Sequence, residues 1–287
     1  MSLILGVSLA VGAAFVWALT SVLSKILMER VSPLALNALR LLISSVFYLP
    51  LIALLGAIPD REITWWAILI ASGIIGFAIA DWLFLEGMNI IGVSRAGILV
   101  TPHPILTMIL AHYLLNRPLN ASIALGAVLI VIAVIVLVSE AMDSKGGMSW
   151  RGIGFVIVAE LLWTIAVLVT DWLVSNESAV AITGLRISSG ALGSLVFFRT
   201  IRETVRKMSV EDWELVVVIT ILGTMLGQYF FIKSISLVGS SIATPVTESS
   251  PVMAALMAVA FLKERFTKRL GISLVLTTLG IILIGLA

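Results

Sequence analysis

Four titratable side chains lie in stretches of this sequence that are otherwise hydrocarbon. Asp81 falls in "AIADWLFLEG", His103 in "VTPHPILTMIL", Glu160 in "IVAELLW" and Glu248 in "TPVTESSPVM". A charge at the centre of a bilayer costs roughly 2.5–3.5 kcal/mol on insertion scales, and such groups face a bundle interior or a watery cavity. Three lipid-facing carboxylates would together cost on the order of 10 kcal/mol, comparable to the stability of a whole fold. They must be solvated, paired or protonated, and carboxyl groups in such positions can relay protons. A proton is therefore the candidate coupling ion. Trp17 and Trp163 sit near the middle of their apolar runs, and Glu160 precedes Trp163 by three residues, one helical turn away on the same face. An aromatic wall beside a carboxylate suits an organic solute that carries an amine, since ring faces attract cations. Trp82 with Asp81, and Tyr229 with Gln228, offer a second polar and aromatic lining.

These groups have to be positioned by membrane-spanning helices. Hydrophobic residues make up 60% of the 287 and charged ones 12%, against roughly 45–50% and 25% in a soluble domain. Mean hydropathy is +1.17. A window of about 19 residues matches the 30 Å or so of hydrocarbon that a helix must cross. It predicts ten spans, at 3–28, 33–56, 64–90, 94–115, 119–139, 150–174, 178–199, 212–237, 240–262 and 268–287. The first run reads as a retained span, being too long for a signal-peptide core. Connections are short, so activity is expected inside the bilayer. Trp65, Trp66, Trp150 and Trp213 stand at span starts, as interfacial indoles do.

The chain repeats itself. "GVSLAVGAAFVWALT" from Gly6 aligns without a gap on "GIGFVIVAELLWTIA" from Gly152, carrying Trp17 onto Trp163 and Arg40 onto Arg186. One residue further in shift, Gly76 meets Gly223, Asp81 meets Gln228, Trp82 meets Tyr229, Glu86 meets Lys233, Gly92 meets Gly239, Ser94 meets Ser241 and Pro104 meets Pro251. The expected fold is an all-α membrane protein of ten transmembrane helices in two five-helix repeats, residues 1-140 and 150-287. Five spans per half is an odd number, so the halves are expected to be inverted, the arrangement that serves alternating access. Pro104 and Pro251 would interrupt the fourth and ninth spans at one depth. Proline removes an amide donor and frees carbonyls, and membrane proteins tolerate this where protein or a cavity satisfies them. The two prolines are the expected hinges.

The run "GSSIATPVTESSPVMAALMAVAFLKERFTKRLGISLVLTTLGIILIGL", with Gly-Ser-Ser, Pro251, small residues, Glu264 at the helix end and Gly271 opening the last helix, resembles the drug/metabolite transporter superfamily, in its EamA-like ten-helix branch. Lys263 stands where that family usually has Gly, and Asn116 and Arg117 stand where the first half would carry its Gly-Glu pair. The resemblance implies a secondary transporter working without ATP, often an exporter of amino acids or other small metabolites.

Other expectations follow from the residues. Arg40 and Arg186, about two turns into their spans, have stems that can snorkel their charge towards the interface, and are expected to pair structurally in preference to binding a substrate carboxylate. His112, nearer a helix end, is expected at the interface. "GFAIA" and "GTMLG" should let backbones approach, while the fifth and tenth spans, without charge from Leu119 to Ser139 and from Leu270 to Ala287, should face lipid. Loops after odd-numbered spans hold thirteen of the 18 basic residues and the other side three, Arg40 and Arg186 being set aside. This predicts both termini outside the plasma membrane and a cytoplasmic amphipathic linker at "RTIRETVRKMSVED". Asp171, near a helix end, is not expected to form a protease pair with Asp81. No zinc-protease, nucleophile-elbow or ATP-binding motif occurs, cysteine is absent, and no enzyme activity, metal or organic cofactor is expected. A net charge of +2 gives no footprint for nucleic acid. The expected partners are a small-molecule substrate and the lipid bilayer, for a monomer or homodimer. A channel or sensor scaffold is the alternative reading, which paired hinges disfavour.

Overall fold

A computed structural model describes residues 2–91, 96, 99–139, 149–262 and 266–287 of the chain, and every regular element in it is helical. The first half comprises α1 (Ser2–Leu27), α2 (Pro33–Leu54), α3 (Ile63–Gly73), a π-helical segment (Ile74–Ala80), α4 (Asp81–Ile91), α5 (Pro102–Leu115) and α6 (Ala121–Ser139). The second comprises α7 (Trp150–Val174), α8 (Ala179–Ser194), a 3-10 turn (Leu195–Phe197), α9 (Phe198–Val205), α10 (Val210–Ile219), a second π-helical segment (Thr220–Gly227), α11 (Gln228–Val238), α12 (Ser240–Thr247), α13 (Ser250–Leu262) and α14 (Lys268–Gly285). Expected features at Gly92, Ser94, Arg95, the 140–148 connection, Lys263 and Glu264 lie outside the described residues.

Among the described residues eight helices are long and apolar enough to cross a membrane. They correspond to the expected first, second, third, fifth, sixth, seventh, eighth and tenth spans. The expected fourth and ninth are not unbroken helices of that length: α5 has 14 residues, and the ninth is divided into α12 and α13, of 8 and 13. In the ninth the division falls at Glu248 and Ser249; in the fourth, turn residues Val100 and Thr101 precede α5. A shift of 147 carries Val100 and Thr101 onto Thr247 and Glu248, so the two interruptions match to within one residue in the repeat.

The hinge expectation needs one correction. Pro104 and Pro251 do not kink a helix from within: Pro102 opens α5, with Pro104 in its first turn, and Pro251 is the second residue of α13. A first-turn proline sacrifices an amide that has no intrahelical partner anyway. The prolines thus start the second half-helix, and the break lies just before them.

A second matched irregularity was not legible. The two π segments occupy 74–80 and 220–227 and end directly before Asp81 and Gln228, so they too are repeat mates. Other spans cap their carbonyls. Asn37 Nδ2 of α2 donates to the Phe77 carbonyl at 2.7 Å, Trp17 Nε1 of α1 to Gly223 at 3.1 Å, and the Tyr48 hydroxyl of α2 to Met225 at 2.9 Å. The glycine-containing strings admit close contact as expected: a Cβ on Gly227 would stand 2.6 Å from Trp17 Nε1. The largest core cluster joins α1, α6, α7, α11 and α12. α6 and α14 pack along each other and tie themselves together by Ser122 Oγ to Leu283 O and Ser273 Oγ to Ala133 O, both 2.7 Å.

Candidate functional site

The site is built where the first π segment and the start of α5 meet α7. Asp81 is the first residue of α4, immediately beyond the π segment, and its carboxylate accepts from two sides. Trp163 Nε1 of α7 donates to Oδ1 at 2.9 Å, and Arg40 Nη2 of α2 approaches Oδ2 at 3.2 Å. Arg40 Nη2 also reaches Asn37 Oδ1 at 2.6 Å, so the residue that caps the π segment orients the arginine as well. The Trp163 ring lies between Phe84 at 5.0 Å and His103 at 6.4 Å between centroids.

Glu160, one turn before Trp163, is 4% exposed and accepts the backbone N–H of His103 at 2.6 Å. That amide belongs to the first turn of α5, where the macrodipole is positive, and it also reaches the Val100 carbonyl at 3.1 Å. A carboxylate from one half of the sequence therefore caps a half-helix of the other. The buried His103 ring places Nδ1 2.9 Å from Thr164 Oγ1, and that hydroxyl spends its hydrogen on the Glu160 carbonyl at 3.0 Å. With that hydrogen so placed, Nδ1 is the nitrogen that can donate to Thr164, and Thr107 Oγ1 stands 3.4 Å from the same atom.

The remaining expected residues lie as follows. Trp17 is separate from this group: its N–H is committed to Gly223 and its ring rests edge-on against Phe231 at 5.4 Å. Its role in the structure is to cap the second π segment, whereas its repeat mate Trp163 holds a carboxylate. Trp82 is the next residue of α4 after Asp81 and faces Phe197, 5.3 Å between centroids. Gln228 opens α11 as Asp81 opens α4, and Tyr229 stacks towards Phe230 at 6.2 Å. Among the described residues no hydrogen bond joins Gln228, Tyr229 or Glu248 to the Asp81 and Glu160 group. Glu248 occupies the turn between α12 and α13, within electrostatic range of Glu160.

Two further charged residues are buried in the bundle. Arg186 does not snorkel to the interface: it is 4% exposed, donates to Ser72 Oγ (3.0 Å), Ser72 O and Ala166 O (both 3.3 Å), and sits over the Phe77 ring at 5.1 Å. Deep in the bundle, surplus carbonyl oxygens and an aromatic face offer it more than a long reach to water. Asp171, discounted for its place near a helix end, is fully buried and accepts four hydrogen bonds. Arg117 supplies two, from Nε at 2.9 Å and Nη2 at 2.5 Å; Ser240 supplies two, from its amide at 2.8 Å and hydroxyl at 2.6 Å. The adjoining turns are shaped for this contact. Asn116 ends α5 in the left-handed region, φ 53°, and Gly239 takes φ 79°, with the Arg117 stem packed against its bare Cα. His112 Nδ1 meets the Arg117 carbonyl at 2.8 Å, and the Ser241 hydroxyl donates to Pro118 O at 2.9 Å. Asp171 thus ties the α5 to α6 turn and the α11 to α12 turn onto the end of α7. On the same face Arg61 and Glu177 pair across two further turns, Nε to Oε1 at 2.6 Å.

The EamA-like transporter family model matches residues 4–139 and again residues 150–286. The chain belongs to that family. A relative named an uncharacterized transporter, from Archaeoglobus fulgidus, is 25% identical over 295 residues, covering 98% of both chains. The uncharacterized transporter YetK of Bacillus subtilis is 25% identical over 268 residues, covering 91% of this chain and 80% of its own. A crystal structure at 16% identity superposes with a TM-score of 0.77 over 97% of this chain and 95% of that one, a likeness of fold. This EamA-like protein is a multi-pass membrane transporter of the drug/metabolite superfamily. Its family match recurs twice along the chain, and the Asp81, His103, Glu160 and Trp163 group is drawn from both matched stretches.

Proposed function

We propose that this EamA-like protein is a secondary active carrier, an exporter or exchanger of small organic metabolites such as amino acids or amines, working by alternating access through a central cavity. Its ten helices form two inverted five-helix repeats, residues 1-140 and 150-287, in the plasma membrane with both termini outside. It works as a monomer or homodimer. No metal or organic cofactor takes part; a proton is the coupling ion, carried among Glu160, Glu248 and Asp81.

The observation that carries this reading is the bonded series across the repeat boundary, from Asn37 and Arg40 through Asp81 to Trp163, and from Glu160 to the amide of His103. Each half contributes charged or aromatic groups to one locus, beside the place where the fourth and ninth spans are interrupted. Half-helix N-termini favour the carboxylate of a substrate, while Glu160, Glu248 and the Trp163 ring favour its ammonium. A zwitterion satisfies both. Gln228, Tyr229 and Trp82 line the access route, and Pro104 and Pro251 fix the starts of the moving half-helices. Arg117, Asp171 and Ser240 close one face and must part when that face opens.

Counterflow in liposomes is the test. Exchange of labelled amino acid or amine stimulated by unlabelled substrate on the opposite side supports a carrier; voltage-driven conductance without trans stimulation refutes it in favour of a channel.

A further inference from the structure

The segment between α8 and α10 touches the proposed site only where Phe197 faces Trp82, and the chemistry of the rest points to the membrane surface. Its helix, α9, is strongly one-sided. Ile201, 5% exposed, and Val205 turn inward onto the cluster formed by Leu27, Val31, Leu36 and Val216, so the apolar face is already occupied. Arg199, Arg202 and Arg206 recur at spacings of three and four, which aligns them in one stripe on a helix; Arg206 keeps helical backbone angles just past the end. All three are exposed, as is Lys207. Among the described residues none of the four side chains makes a hydrogen bond or an ion pair. Glu203 is the one acid between Phe198 and Lys207, leaving the segment at +3 from four basic residues less one acidic. Beside this stripe large apolar groups also stand free: Val196 is 83% and Phe198 57% exposed.

Unpaired guanidinium groups next to exposed apolar side chains, at the end of a membrane span, fit the boundary between phosphate headgroups and acyl chains. We propose that α9 is a docking surface for anionic lipid headgroups, with Arg199, Arg202 and Arg206 contacting phosphates of the adjacent leaflet and Phe198 and Val196 entering its acyl region. Membrane embedding alone is required; the surface is independent of what the protein carries. Because α9 docks on the start of α2, which carries Asn37 and Arg40, headgroup contacts there bear on a helix of the site.

The full-length protein in detergent is titrated with phosphatidylglycerol or phosphatidylcholine, and retained lipid is counted by native mass spectrometry. Each basic residue near an anionic surface changes affinity about five-fold, so three give on the order of 100-fold. The expected result is a preference of that order for phosphatidylglycerol, reduced to near parity in R199Q/R202Q/R206Q and unchanged in K25Q/R151Q, which removes exposed positive charge elsewhere. All variants should show wild-type helical circular dichroism. Absence of preference in the wild type, its survival in the triple variant, equal loss in K25Q/R151Q, or displacement of the lipid by millimolar inorganic phosphate overturns the assignment.

Discussion

Replacing Asp171 by asparagine tests the closure of one face most directly. The carboxylate accepts on both oxygens, Oδ1 from Arg117 and Oδ2 from the amide and hydroxyl of Ser240. Asparagine keeps the shape but presents one acceptor oxygen and one NH2, so whichever way it turns, two of the four donors meet another donor. Hydrogen bonds to a charged group contribute about 1.5 kcal/mol or more each; losing two costs about 3 kcal/mol, borne by the state in which this face is shut. At 1.4 kcal/mol per factor of ten, the shut-to-open ratio falls about 100-fold. The chain contains no cysteine, so a single introduced thiol reports without background. Thr244 lies one turn into α12 beyond Ser240, is 1% exposed, and its hydroxyl has no hydrogen-bond partner. In T244C, a membrane-impermeant maleimide applied from the Arg117 face should label slowly, and D171N/T244C should label about 100 times faster. Equal rates in proteins of equal helix content would refute the idea that this knot holds the face shut.

Other perturbations separate the site from its supports. E160A should reduce substrate exchange to background while leaving membrane expression intact, measured by liposome counterflow beside a blot of purified yield; undiminished exchange would remove Glu160 from the site. W163F keeps the ring but loses the bond to Asp81, a hydrogen bond to a charged group of about 1.5–3 kcal/mol, and should weaken substrate retention about 10- to 100-fold in a binding assay. W17F leaves the Gly223 carbonyl without that donor, at a cost of about 1–3 kcal/mol. It should therefore lower the melting temperature in detergent while exchange per folded molecule stays within about two-fold of wild type; a selective loss of exchange would return Trp17 to the binding site. Amino acids or amines that bind should raise the wild-type melting point, as any ligand of the folded state does, and the rise should vanish in E160A.

The broad fold was legible because it is written in composition and repetition. Ten apolar runs, a gapless shift over Trp17 and Arg40, and paired prolines are properties of residue type and order, and eight of the runs appear as unbroken apolar helices. Asp81, His103, Glu160 and Trp163 could be singled out because hydrocarbon makes any polar group costly. Their partners could not be read in the same way. Nothing in the types of Asn37 or Thr164 says that one will cap a π segment and the other meet a histidine ring nitrogen, since both roles depend on which helices become neighbours.

Asp171 shows why distance from the middle of a span is a poor guide to consequence. A carboxylate near a helix end commonly meets water, yet two turns fold over this one and leave no exposure. Those turns are possible because Asn116 and Gly239 adopt positive φ, which brings Arg117 and the Ser240 amide to one point. Taking one partner from a buried ion pair costs about 3–5 kcal/mol, since the other charge is left uncompensated. A pair of this kind resists partial opening: while Asp171 is sheltered from water, the loss of Arg117 leaves its charge without compensation, and the loss of Ser240 leaves one carboxylate oxygen without a donor. Water must enter as the donors leave, so the knot favours two end states, shut and flooded, over intermediate ones. A face that is either sealed or fully hydrated is what a carrier needs if it is not to leak.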